Sequence, residues 1–270
     1  MMDVDRFLPQ DIDPFLALAG EEGWLCDRWE FEFLQQSFPR GSFVVRRDDV
    51  AVAFVTSVRH TGSGWVGNLL VRQDLRGQGI GRILLQHVLD TLNREGVVTV
   101  WLTASAEGKP LYEKLGFGAI DGIQRWRGTA RVMAGQVADT GDGAPINEVD
   151  LAGWGDCRRL LLSALQQRSG LVANRYGFLM LQQPTDGMQL GPWGSFSART
   201  AANLLDRALA TLPAGTRLFL DVPERNRTAG RLLAERGFRP TGETVLMYRG
   251  TPPAYQPKHV FSLASMGSMG

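Results

Sequence analysis

Cysteine is nearly absent, with Cys26 and Cys157 the only two in 270 residues. That count leaves neither a disulfide framework nor a cysteine-rich zinc site, and a reducing cytoplasm is the compartment that fits. Long apolar runs are missing too. The longest, such as VAVAFV at 50–55, fall far short of the roughly 18 residues that a membrane span needs. The opening MMDVDRFLPQDIDPFLALAG carries acidic residues where a signal peptide carries basic ones. Neither charge is in excess: 29 basic residues face 28 acidic ones, so no nucleic-acid footprint or membrane-attracted surface is expected, and any anion site must be local. His60, His87 and His259 are scattered without metal-ligand spacing, and no metal is expected.

What is present is the balance of a water-soluble globular chain, 44% hydrophobic and 21% charged, of a length that suits two compact domains. Residues 14–38 read as two short helices, with Phe31, Leu34 and Phe38 at helical spacing in the second. SFVVRR and VAVAFVTSVR, separated by DD, read as a β-hairpin, and GWVGNLLV at 64–71 as a further strand. Ile80, Leu84, Val88 and Leu92 then mark one face of a helix, with Leu85 and Leu89 beside them. VVTVWLTAS at 97–105 is a buried strand, LYEKLGF a short helix stopping at Gly116, and GIQRWRG a closing strand.

The chain also echoes itself, which points to a repeated unit. LLQHVLDTLN from Leu84 returns as LLDRALATLP from Leu204, 120 residues on, and the GF ending at Phe117 returns at Phe238, 121 residues on. Leucine-rich helices resemble one another by chance, but preserved order and spacing favour duplication of one α/β unit. The expectation is a first domain over 1–129, a Gly- and Asp-rich linker over 130–149, and a degenerate second copy over 150–270.

Between the strand ending Leu69, Leu70, Val71 and the helix that follows lies RGQGIGR, residues 76–82. It lacks the lysine of a phosphate-binding P-loop, and Arg82 stands where a dinucleotide fingerprint needs its third glycine. What it offers is Arg76, Gly77, Gln78, Gly79, Ile80 and Gly81 at the start of a helix whose first amides have no intrahelical partner. Small residues let a ligand approach, the helix dipole favours an anion, and Arg76 and Arg82 add charge-assisted bonds. The bland alternative is a tight turn that uses glycine for its conformation alone.

The pattern Arg-x-x-Gly-x-Gly after LLV, joined by LYEKLGF some thirty residues on, resembles the GNAT acetyltransferase superfamily over residues 1 to about 128. Residues 150–250 resemble a second copy, as in tandem-GNAT proteins. The resemblance implies an α/β fold of two tandem GNAT-like domains, each a twisted mixed sheet flanked by helices. It implies acetyl-CoA as acyl donor, held by Leu69, Leu70, Val71, the 76–82 loop and Tyr112, and an amine acceptor. The Val71 amide becomes the oxyanion donor, and Tyr112 the partner of the departing sulfur. Tyr112 also reads as an aromatic packed on the sheet. The second copy has LGPWGSFSARTAANLL in place of the loop, which argues against a second pyrophosphate site.

An amine with a pKa near ~10.4 must lose a proton before it attacks. The sequence offers Glu21, Glu22, Asp27, Glu30 and Glu32 without separating them, with Asn68 as a water-positioning candidate. Trp24 and Trp154 could wall an acceptor pocket or anchor the core, and Asn226 reads first as a helix cap. A non-catalytic acyl-CoA sensor is the rival reading.

Overall fold

The computed structural model of the chain describes residues 3–130, 145–184 and 187–270. The first half runs β1 (Asp3–Arg6), α1 (Ile12–Glu21), α2 (Arg28–Ser37), β2 (Phe43–Arg47), β3 (Val50–Arg59), β4 (Ser63–Val71), α3 (Ile80–Arg94), β5 (Thr99–Ala104), α4 (Lys109–Lys114) and β6 (Gly118–Thr129). The second half repeats this plan from its helices onward: α5 (Ile146–Trp154), α6 (Arg159–Arg168), β7 (Gly170–Asn174), β8 (Gly177–Gln182), β9 (Met188–Ser195), α7 (Ala198–Thr211), β10 (Arg217–Pro223), α8 (Arg227–Glu235) and β11 (Arg239–Gly250). A short strand, β12 (Val260–Ser262), follows. The tandem α/β plan read from the repeat is therefore present. The expected linker lies outside the described residues over 131–144, and from Ile146 the chain is already helix α5.

Local chemistry accounts for the helices. On α3, Ile80, Leu84, Leu85, Val88, Leu89 and Leu92 are all buried, the stripe that a 3.6-residue period aligns. Asp27 caps α2 by accepting from the Trp29 amide at 3.1 Å, and Asn226 caps α8 by accepting from Ala229 at 3.1 Å. Strand β1 escapes a reading of periodicity because it is four residues long and its Asp3, Asp5 and Arg6 are exposed.

The two halves share one sheet, in the order β1-β2-β3-β4-β5-β11-β6-β10-β9-β8-β7, with β12 paired to β9. The closing strands are exchanged. GIQRWRG does form a strand, yet β6 lies between β11 and β10, while β11 pairs with β5 over Val245–Gly250. Helix α3 covers one face through Val66, Val100 and Leu102, and Phe15 and Phe31 of α1 and α2 pack on Val44, Phe54 and Leu70 of the other. Trp65, Trp101, Trp154 and Tyr255 join the halves in a third cluster, with Trp101 edge-on to Trp154 at 5.7 Å. Among the described residues, no helix is long and apolar enough to cross a membrane.

Candidate active site

Strands β4 and β5 pair in parallel at Ser63–Thr99, Gly64–Val100 and Trp65–Trp101, and then part. Both continue, β4 to Val71 and β5 to Ala104, so a wedge-shaped gap opens between their C-terminal ends. The cause lies in β4. Its pairing with β3 slips between Thr56–Gly67 and Phe54–Leu70, and Asn68 in the slip has φ of 53°. A bulge of this kind bends its strand away from its neighbour.

Beyond the bulge the ladder resumes. The Arg72 amide bonds the Val52 carbonyl at 2.9 Å, and antiparallel alternation turns the peptide groups of Val71 to the opposite side, toward the gap. The Val71 carbonyl there accepts from Arg76 Nε at 3.0 Å. Leu70 is buried under α1 and α2, whereas Leu69 packs on the α3 side, beside Gly81.

The glycine loop closes the mouth of the gap. Gly77 and Gly79 have φ of 76° and 81°, a region that glycine enters without cost, and Gly79 starts α3 with no side-chain cap. The first amides of α3, from Ile80, Gly81 and Arg82, are therefore left without an intrahelical or capping partner, the arrangement at which helix starts accept anions. Gln78 and Arg82 are exposed. Arg76 pairs with Glu22, so in this structure its guanidinium is held by a carboxylate. A Cβ at Gly81 would sit 3.6 Å from Leu111 and 3.7 Å from Val71.

In the second half the same position is closed twice over. Ser197 caps α7 itself, accepting from the Thr200 amide at 3.1 Å. Strands β9 and β10 also part after two pairs, Leu218–Met188 and Phe219–Gln189, but β12 fills the opening against β9 and Leu263 donates to the Asp221 carbonyl at 2.8 Å. The sequence signal was the missing glycines; the filling by β12 had none.

Tyr112, on α4, is buried beside Phe117, edge-on at 6.0 Å. Burial pushes its pKa up to about 12, which keeps the hydroxyl protonated and a donor at neutral pH.

On the face opposite α3, one of the five acidic candidates stands apart. Glu21, Glu22 and Glu32 are exposed, and half-buried Asp27 caps its helix and pairs with Arg168 at 2.5 Å. Glu30 is buried and accepts from Asn68 Nδ2 at 2.9 Å, and the same nitrogen donates to Thr56 Oγ1 at 3.0 Å. Asn68 is the bulge residue, so the carboxylate is tied directly to the bend in β4. Desolvation raises the Glu30 pKa to about 7; hydrogen bonds from Asn68 and Ser268 pull it down, Asp27 pushes it up and Arg168 lowers it. A carboxyl that titrates near neutrality in a cleft is suited to moving protons. Its placement was legible: Glu30 stands one helical turn before buried Leu34, on the inward stripe of α2.

The remaining candidates fall elsewhere. Trp154 is in the core, Trp24 is 40% exposed, and His60 is buried and held neutral, its pKa lowered to about 3 by desolvation and the Arg158 charge. Asp221 is fully buried in a two-pronged pair with Arg125 at 2.7 and 2.8 Å. Burial, reinforced by the Glu30 charge and opposed by Arg125, pushes the Cys26 thiol far up, which leaves it inert. Among the described residues, no group of three or more His, Cys, Asp or Glu side chains could hold a metal ion.

Comparison with known proteins gives the same picture. Residues 12–117 match the acetyltransferase (GNAT) family and residues 146–262 a second acetyltransferase (GNAT) domain. The chain is 29% identical over 238 residues to the holothin acyltransferase of a Pseudoalteromonas strain, covering 81% of this chain and 78% of that enzyme. It is 38% identical over 73 residues to the ribosomal protein bS18-alanine N-acetyltransferase of Salmonella typhimurium, a match to 26% of this chain and about half, 49%, of that enzyme. In fold it is similar to a Pyrococcus horikoshii protein assigned as an acetyltransferase (TM-score 0.86, 22% identity, covering 100% of this chain and 96% of that one). A GCN5-related N-acetyltransferase of Sphaerobacter thermophilus shares the architecture at a TM-score of 0.65 and 16% identity, over 94% and 98% of the two chains. With two family matches arranged in tandem along it, the chain belongs to the GNAT acetyltransferase family of acyltransferases.

Proposed function

We propose that the protein transfers the acetyl group of acetyl-CoA directly to an amine, with catalysis in the first half and the second half shaping the acceptor side. The observation that carries this reading is the pairing of an uncapped, glycine-built helix start with a β4–β5 gap that no strand fills in the first half, against a capped start and a gap filled by β12 in the second. The α3 amides, with Arg82 beside them, suit a pyrophosphate. Leu69, Leu70 and Val71 line the way to the bulge for a pantetheine arm. Acetyl-CoA supplies a thioester whose carbonyl oxygen gains charge as the amine adds, and the Val71 amide faces the gap to stabilise that charge. Glu30 takes the proton from the amine, directly or through one water. About one amine in a few thousand is unprotonated at pH 7, so a base that is half ionised there is well matched.

Calorimetric titration with acetyl-CoA tests the reading. One site per chain is expected. Gly81→Phe keeps helical backbone but drives a ring toward Leu111 and Val71 at the mouth of the gap, and should weaken binding about a hundredfold or more, with circular dichroism checking that the protein stays folded. Two sites, or none on folded protein, would sink the assignment. Tyr112→Phe is expected to lower kcat about a hundredfold with acetyl-CoA affinity nearly intact, because the hydroxyl donates to the departing sulfur only as the bond breaks; an unchanged kcat removes Tyr112 from the reaction. The rival sensor reading predicts binding without turnover of any amine, and the buried Glu30–Asn68 pair weighs against it.

A further inference from the structure

Residues 264–270 leave β12, at the gap of the second half, and arrive at the gap of the first. The Ala264 amide donates to the Gly270 carbonyl at 2.9 Å, closing the segment into a loop, and Arg158 donates to the same carbonyl at 3.0 Å. Ser268, Met269 and Gly270 are buried. The loop touches both lips of the first gap. The Asn68 amide donates to the Gly267 carbonyl at 3.3 Å, and the Thr103 hydroxyl donates to the Met266 carbonyl. Gly67 makes this approach possible, since a Cβ there would lie 2.3 Å from the Gly267 carbonyl oxygen and 2.6 Å from the Ser268 Cα. A glycine that admits backbone this closely is a fitted contact.

That fit buries Ser268, 1% exposed, beside the bulge residue Asn68 whose side chain holds the Glu30 carboxyl, and hydrogen bonding from Ser268 is among the influences that lower the Glu30 pKa. Ser265 and Ser268 hydroxyls lie 2.8 Å apart. An ionised carboxylate only accepts hydrogen bonds, so toward it Ser268 must donate, and Ser265 then donates to Ser268.

We propose that Ser268, carried by this closed loop of the second half, is a positioning residue that orients the Glu30 carboxylate and stabilises its ionised form in the first half's site. The site is then composite, and the degenerate half supplies a contact that the first half cannot make for itself. The groups facing Glu30 are otherwise accounted for: Asn68 from β4, which also holds Thr56 of β3, Asp27 on its own helix, Arg168 from α6, and the Cys26 thiol ahead of α2. Ser268 is the group that the loop adds to this set.

The proposal rests on Glu30 as the base, and the test separates the two. Glu30 is titrated in the full chain by carboxyl-carbon NMR on glutamate-labelled protein, in wild type, Ser268→Ala and Ser268→Thr, beside pH profiles of kcat/KM. Losing one hydrogen bond to a charged group should raise the Glu30 pKa by about one pH unit in Ser268→Ala. The threonine hydroxyl should restore it, and KM for acetyl-CoA should not change. The acidic limb of kcat/KM should shift by the same amount, so activity falls about tenfold well below neutrality and about fivefold at pH 7, and it regains the kept plateau only above about pH 9. Ser265→Ala, at a half-exposed position, should move the pKa the same way by less. An unmoved Glu30 pKa in Ser268→Ala overturns the proposal. A shifted pKa with an unmoved rate limb upholds the Ser268–Glu30 contact and overturns Glu30 as the base.

Discussion

Residues 3–130 expressed without the rest of the chain are expected to stay unfolded, and residues 145–270 likewise. The sheet gives the reason. Cutting the halves apart takes β11 from between β5 and β6, and leaves β6 without either of its partners. Leu246 and Met247 go with it, neighbours on β11 that point to opposite faces and are fully buried, one in the tryptophan cluster and the other under α3. Truncating a single core residue of this size costs about 2–5 kcal/mol, and a whole strand carries ladder bonds besides. Against a typical net stability of about 5–15 kcal/mol, the loss is decisive.

Circular dichroism and amide NMR of each fragment check this. The two fragments mixed, with the chain divided between Ala130 and Pro145, should recover one cooperative melt because the exchanged strands can still pair. A separate half that melts cooperatively by itself would show that the strand exchange is dispensable. The arrangement also bears on why a half without its own glycine loop persists: it completes the sheet of the half that has one.

Much of this architecture was legible in the residues, for physical reasons. The leucine stripe of α3 and the positive-φ glycines at 77 and 79 speak through local geometry, which sequence records directly. The repeat at about 120 residues gave the tandem plan. What stayed hidden depends on contacts between distant residues. GIQRWRG reads as a strand, but nothing in its seven letters says that it lies between β10 and β11. Arg76 reads as a free anion ligand, yet Glu22, 54 residues away, holds it. Nothing in ASMGSMG, residues 264–270, marks Ser268, because its meaning is a fit against Gly67 and Glu30. Glu30 was half legible: the helical face was in the sequence, and the burial that tunes it was not.

Glu30→Gln is expected to lower kcat/KM by about a hundredfold to a thousandfold while making the protein more stable above neutral pH. The two effects have one origin. The folded protein raises the Glu30 pKa from its ordinary 4.5 to about 7 through desolvation, only partly offset by Asn68 and Ser268. Between those values the folded chain binds a proton that the unfolded chain has released. Stability therefore falls as pH rises from about 4.5 to about 7 and levels off above, by a few kcal/mol in all. Glutamine keeps a carbonyl oxygen to accept from Asn68 and carries no charge to desolvate, so the variant should lack that slope. Chemical denaturation at pH 5 and pH 8 reads it as a difference: His60, held neutral, favours the fold as pH rises in both proteins alike, so the stability advantage of Glu30→Gln over wild type should grow between the two pH values. The rate should behave in the opposite sense. With no group to take the amine proton, the acidic limb of kcat/KM near pH 7 should give way to low activity that climbs with pH as the free-amine fraction does, while acetyl-CoA affinity stays as it was. A variant that keeps both the limb and most of the activity would show that another group is the base. A variant with wild-type pH dependence of stability would show that Glu30 is ionised throughout, and so poorly tuned for the task. A buried carboxylate that weakens the fold at neutral pH is a cost the chain bears, and proton transfer at that position is the return we propose for it.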